Sequence, residues 1–266
     1  MSEPQCVMLP NGTQEWRVNG KLHREDGPAK ILADGSQLWY RDGRFHREDG
    51  PAIVEIDGRQ DWCRDGKLHR EDGPAVEKAD GSKFWYRDGK LHREDGPAIV
   101  TAAGTQEWFI NGKLHREDGP ATIWPNGATE WRSDGKPHRD DGPAVIGFDG
   151  RQIWYFNGTL HREDGPAIIW ANGSQTWYRN GKLHRENGPA IVMKNGRQEW
   201  FCNGQPHRED GPAVIGASGS QTWYFNGELH REDGPAIVRE DGSEEYWEHG
   251  RRIINNDHAL SSPRRT

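Results

Sequence analysis

Ala29 to Pro51 reads AKILADGSQLWYRDGRFHREDGP, and its neighbours repeat it with small changes. In the next copy Ala52 is followed by an apolar pair, Ile53 and Val54, then by Asp57-Gly58, then by a segment ending in Trp62. That order predicts strand, turn, strand. Asp-Gly between β-favouring runs is a strong hairpin signal, because both central residues of a two-residue type I′ turn need positive φ. With Asp34-Gly35 in such a turn, Lys30 is expected opposite Trp39 and Ala29 opposite Tyr40. A second turn follows at Asp42-Gly43 and leads into FHREDGPA. Pro51 cannot donate to a ladder, so this last stretch is expected to leave the sheet and cross to the next hairpin.

The unit is counted rigidly. His23, His46, His69 and seven further histidines up to His230 are spaced 23 residues apart without an insertion. Trp16, Trp39, Trp62 and the later tryptophans to Trp223 keep the same interval, and Tyr246 takes the next place. A fixed period of this length marks a repeat architecture. The expectation is an all-β chain: an elongated, twisted single-sheet ribbon of about eleven successive hairpins, advancing about 10 Å per copy for two strands about 4.8 Å apart. Residues 1–5 read as an extension, 6–250 as one continuous repeat domain, and 251–266 as a cap and tail.

Composition narrows the function classes. Among 266 residues, hydrophobic types make up 32% and charged types 29%, yet there are 13 tryptophans. A thick aliphatic core is excluded, and large rings are expected to supply the burial instead. The net charge of −7 argues against a general nucleic-acid binder. Three cysteines without a CxxC pair do not make a disulfide framework. No apolar run is long enough for a membrane helix and the first residues lack a signal-peptide pattern. The expectation is therefore a cytoplasmic protein, unlikely to associate with membranes.

Residues that repeat must serve the rungs, whereas residues that face a ligand are free to vary. The repeated set includes Trp39, Trp62, His46, Arg47, Asp49 and Pro51, with Arg47 expected to pair with Glu48 or Asp49. Asn187, which replaces the connector aspartate in one copy, is expected to keep its acceptor role. Histidines about 10 Å apart cannot share one zinc, whose ligand distances are about 2.0–2.1 Å, and ten copies of a catalytic group are not needed. No metal, no cofactor and no catalytic residue is therefore predicted. The binding candidates lie in columns that vary. Trp124 and Trp170 stand where other copies carry Leu32, Glu55, Lys78 or Gly147, and are expected to be exposed contacts. Arg41, Arg64 and Arg87 share a column with Phe156 and Phe225; Phe84 shares another with Leu38 and Asp61.

The pattern of hairpin, aromatic, NGK, His and Gly, seen in WYRDGKLHREDGPA (Trp85 to Ala98), resembles the MORN repeat in the variant form common in bacteria and viruses. It covers about Cys6 to Gly250 and departs in carrying HREDGPA where typical copies have a shorter His-Gly-x-Gly. The resemblance implies successive hairpins that mediate protein association or contact phospholipid, and some relatives are antitoxin-like. From these readings the expected function is a non-enzymatic scaffold that binds a protein partner, in the manner of a phage or bacterial inhibitor. The alternatives are a small-anion or nucleotide sponge and a membrane-surface protein.

Overall fold

Two kinds of turn alternate along the chain, and they differ by one residue. In the first, Leu32 N–H donates to Ser36 O at 2.9 Å and Gly35 N–H to Leu32 O at 3.0 Å, leaving Ala33, Asp34 and Gly35 in the loop. Gly35 is left-handed, φ +94°, and Asp34 is not. This is a three-residue loop, a type I turn closed by a left-handed glycine. The Asp34 carboxylate steadies it by accepting Ser36 N–H at 2.9 Å. In the second turn Asp42 and Gly43 are both left-handed, φ +53° and +79°, and Arg41 pairs with Arg44. That is the two-residue type I′ turn, so the type I′ geometry belongs to Asp42-Gly43 and not, as the sequence suggested, to Asp34-Gly35.

The extra loop residue resets the register. Lys30 pairs with Leu38 and Ile31 with Gln37, which corrects the expected pairing of Lys30 with Trp39. A one-residue slip transfers side chains to the other face of a strand. Leu38, rather than Trp39, therefore stands in line with Ile53 of the next copy.

The computed structural model describes residues 3–253. The chain is all-β, with 42 short strands and no helix among those residues, paired into about 21 antiparallel hairpins with no closed barrel. The number is roughly twice the expected eleven because the second turn makes a hairpin of its own, Tyr40–Arg41 with Arg44–Phe45. The connector starts only after it. Contacts gather into two units, Met1–Lys136 and Pro137–Thr266. In the first, Gln37–Leu38 pairs with its own Lys30–Ile31 and with Ile53–Val54 of the next copy, so hairpins join in chain order. The second unit repeats this, with Gln152–Ile153 between Val145–Ile146 and Ile168–Ile169. At the C-terminal end Arg251–Ile253 pairs with Tyr246–Glu248, so the repeat runs past Gly250. The rest of the expected cap and tail lies outside the described residues.

The core is narrow. The ten alanines that open the copies, Ala29 through Ala236, are all 0% exposed. Ala52 is fixed from both sides: its N–H donates to Asp61 O at 2.8 Å, and its carbonyl accepts Trp39 N–H of the preceding copy at 2.7 Å. Only a methyl group is present where the backbones approach this closely. The tryptophans of the repeat column, Trp16 through Trp223, expected to fill the core, are half-buried instead.

Candidate functional site

Each histidine of the row ties its copy to the next. His46 Nδ1 accepts the backbone N–H of Asp65, a left-handed turn residue nineteen positions on, at 3.1 Å. The same bond recurs in both units, from Asp88 to His69 at 3.2 Å and from Asn180 to His161 at 3.2 Å. Nδ1 also lies 2.9 Å from the Asp65 carboxylate, so the ring meets that residue through both its backbone and its side chain. On the other side of the ring, His46 Nε2 is 3.4 Å from Glu48 Oε1. A backbone bond runs alongside, from Arg47 N–H to Cys63 O at 3.1 Å.

Within a copy the connector folds over the tryptophan. Arg47 Cζ lies 4.2 Å above the Trp39 ring centre, and Arg70 stands 4.0 Å above Trp62. Such stacking is worth about 0.5–1 kcal/mol at exposed sites and more when desolvated. Arg47 Nε donates to Asp49 Oδ1 at 3.0 Å and Nη1 to Pro51 O at 3.3 Å. The guanidinium holds the Asp49 carboxyl below the usual carboxylate range. Gly50 completes the stack, because a Cβ there would stand 2.9 Å from Arg47 Cζ. His46, Arg47, Asp49, Pro51, Trp39 and Trp62 thus spend their polar atoms and ring faces inside the frame.

The variable columns divide. The column of Leu38, Asp61 and Phe84 turns to the more covered face: Asp61 is 3% exposed, ion-paired to Arg59 at 2.8 Å. Phe84 is half-buried with Lys78 Nζ 4.8 Å from its ring centre, so it is packing and not an open contact. Trp124 is likewise half-buried, where an exposed ring was expected. Trp170 is exposed, although its indole N–H donates to Thr176 Oγ1 at 3.2 Å. Arg41, Arg64 and Arg87 are not free cations: they donate to Glu48, Glu71 and Glu94 at 3.0, 3.3 and 3.0 Å. Phe156 and Phe225 are exposed and wedged between successive histidines; Phe156 lies 5.2 Å from His138 and 6.2 Å from His161. Column reading missed Ile56 and Phe148, the most exposed large apolar side chains at 71% and 74%. Both sit at the first loop position, where Ala33, Ala79, Ala102, Ala171 and Ala217 are small, and that contrast was the available signal.

One connector departs from the rest. Nine connector arginines donate Nε to an aspartate two residues on at 2.8–3.0 Å. Arg185 faces Asn187 and makes no such bond among the described residues; it keeps its place 3.9 Å above Trp177 and its bond to Pro189 O at 3.1 Å. The expected preservation of acceptor chemistry does not hold here. A neutral amide oxygen attracts a guanidinium less than a carboxylate does, and the backbone relaxes: Gly188 has φ +129°, the one connector glycine in the left-handed range. In the same copy His184 Nε2 is buried without a hydrogen-bond partner.

Shallow grooves recur between consecutive connectors, each floored by a tryptophan, as over Trp39, Trp62 and Trp177. Among the described residues no three His, Cys, Asp or Glu side chains gather as a metal site, and no helix is long and apolar enough to cross a membrane. Cys6, Cys63 and Cys202 are free thiols. Compared with known proteins, the chain matches no family model and no curated sequence.

Proposed function

We propose that the chain is a non-enzymatic repeat scaffold that binds a protein partner, chiefly through its second unit. The observation that carries this reading is where exposed apolar side chains occur. Residues common to the copies are consumed by bonds within and between rungs, whereas Phe148, Phe156, Trp170, Met193 and Phe225 are exposed at columns that vary. All five lie in the second unit, against Ile56 at a varying column of the first. Phe148, Trp170 and Met193 belong to the first-turn edge; Phe156 and Phe225 flank the type I′ turns. Aromatic anchors within polar surroundings are the usual make-up of a protein interface. Nine of the ten connector arginines are already paired with an aspartate, which supports a protein partner over a general phosphate sponge. A MORN-like identity and a phage or bacterial inhibitor role are compatible with this reading, as is a cytoplasmic location.

Affinity capture from host extract, run with the native chain and with Phe148→Ser, Trp170→Ser, Met193→Ser combined, tests it. A stoichiometric protein retained by the native chain should bind the triple variant at least about tenfold more weakly, since each anchor is worth about 1–2 kcal/mol. No partner for the native chain, or equal retention by both, would overturn the proposal.

A further inference from the structure

We propose that the groove over Trp177 is an oxyanion site, and that it takes an aspartate or glutamate carboxylate presented by the bound partner. This identification of the source rests on the scaffold reading above; the site itself does not. Two donors there are unanswered. Arg185 Nε lacks the carboxylate that its nine counterparts hold at 2.8–3.0 Å. His184 Nδ1 accepts Asn203 N–H at 3.2 Å, which leaves the ring proton on Nε2, and that nitrogen is buried without a partner. Glu186 does not serve it: the glutamate lies 3.9 Å away and accepts from Arg179 Nη1 at 2.8 Å.

Arg185, His184 and Trp177 line one groove of about 530 Å³. Its other charges are accounted for. Arg162 is paired with Asp164 at 3.0 Å, Glu163 is a solvated side chain 3.9 Å from His161, and Arg179 holds Glu186. Arg185 is thus the one lining cation without a carboxylate. A buried donor left unmet is destabilising, so an incoming acceptor is favoured. The missing group in this copy is a planar carboxylate, and a guanidinium receives one in a charge-assisted bond. Within this repeat frame a carboxylate fits better than a tetrahedral anion.

The substitution Asn187→Asp fills the site from within and restores the residue of nine other connectors, so the variant keeps the fold. Side-chain NMR of the full chain, titrated separately with acetate and with inorganic phosphate at constant ionic strength, reads the site directly. Saturable movement of the Arg185 Nε–H and His184 ring signals is expected in the native chain, larger with acetate at equal concentration. In N187D that movement should be lost. Unmoved native signals, or an equal response in N187D, would overturn the site; a larger response to phosphate would overturn the carboxylate assignment. Partner capture separates the two proposals. N187D should weaken retention at least fivefold, and equal retention by both chains sinks the carboxylate contact while leaving the scaffold intact. If no partner is found, the acetate titration still decides the site.

Discussion

His46 is a single side chain acting on two copies, which is why its removal should cost more than its exposed surroundings suggest. Its ring accepts the Asp65 N–H at 3.1 Å and is itself 7% exposed. His46→Ala leaves that donor without its acceptor and opens a space beneath the turn. A loss of about 1–3 kcal/mol in urea unfolding is expected, with His46→Asn recovering part of it through its amide oxygen. A cost below about 0.5 kcal/mol would show that the bond is incidental. Gly50 gives the complementary case, because its value lies in what is absent: Gly50→Ala places a methyl 2.9 Å from Arg47 Cζ and should lift the guanidinium off Trp39, changing tryptophan fluorescence. The thiols report burial in a third way. Burial pushes the Cys63 thiol up to about 11, while Cys6 is exposed. With a thiolate-selective reagent at pH 7.5, Cys6 should label at least tenfold faster than Cys63, the gap closing in denaturant. Equal rates in the native protein would contradict the packing around Cys63.

At the scale of the element, the connector is a small electrostatic device with a definite acid response. Aspartates such as Asp26, Asp49, Asp72 and Asp210 are held below their ordinary range by hydrogen bonds from the arginines two residues before them. A depressed folded pKa contributes stability that is complete above the unfolded value, about 4, and is lost as pH falls through the lower folded value. Each pair is exposed and contributes little alone; nine titrate together. The connector contribution to the melting temperature should hold constant from pH 7 to 5 and drop below about pH 4. Calorimetry of Asp49→Asn should show a shallower acid drop than the native chain, and of N187D a steeper one. Identical acid profiles for the three would remove the connector pairs from the account. The connector was readable in the sequence because HREDGP recurs with fixed spacing and Arg47 had an acid within reach. The turns were readable as turns but not by class, since Asp-Gly serves both loops here. Only the count of residues between the paired strands separates a type I turn with a left-handed glycine from type I′. That single residue put Asp61 and Phe84, read as part of a variable binding column, on the covered face. Trp124 and Trp170 occupy the same column, yet one is half-buried and the other exposed, and residue type alone carries no sign of that difference.

For the whole molecule, the repeated rung implies that stability is assembled from near-identical pieces. Within each unit, strand pairing, the alanine contact and the histidine bond join a copy to its immediate successor, and none of these bonds reaches beyond it. Two-residue strands such as Lys30–Ile31 have no independent stability, so a copy is ordered only between neighbours, and unfolding should follow nearest-neighbour rules. A chain cut after Leu114 ends on the second strand of a type I′ hairpin, the position that Arg252 occupies in the last hairpin. It should fold, keep the native circular dichroism per residue, and show a urea m-value reduced in proportion to the residues retained, because m follows the surface exposed on unfolding. A cut after Trp108 instead removes that hairpin, and with it the Phe109 carbonyl that accepts Arg93 N–H at 3.0 Å and the Asn111 N–H that donates to His92 Nδ1 at 3.2 Å. Its terminal copy should therefore fray, and hydrogen exchange would find protection resuming one copy inward. Global unfolding of either truncated chain would mean that the copies depend on contacts longer in range than the rung-to-rung bonds described here.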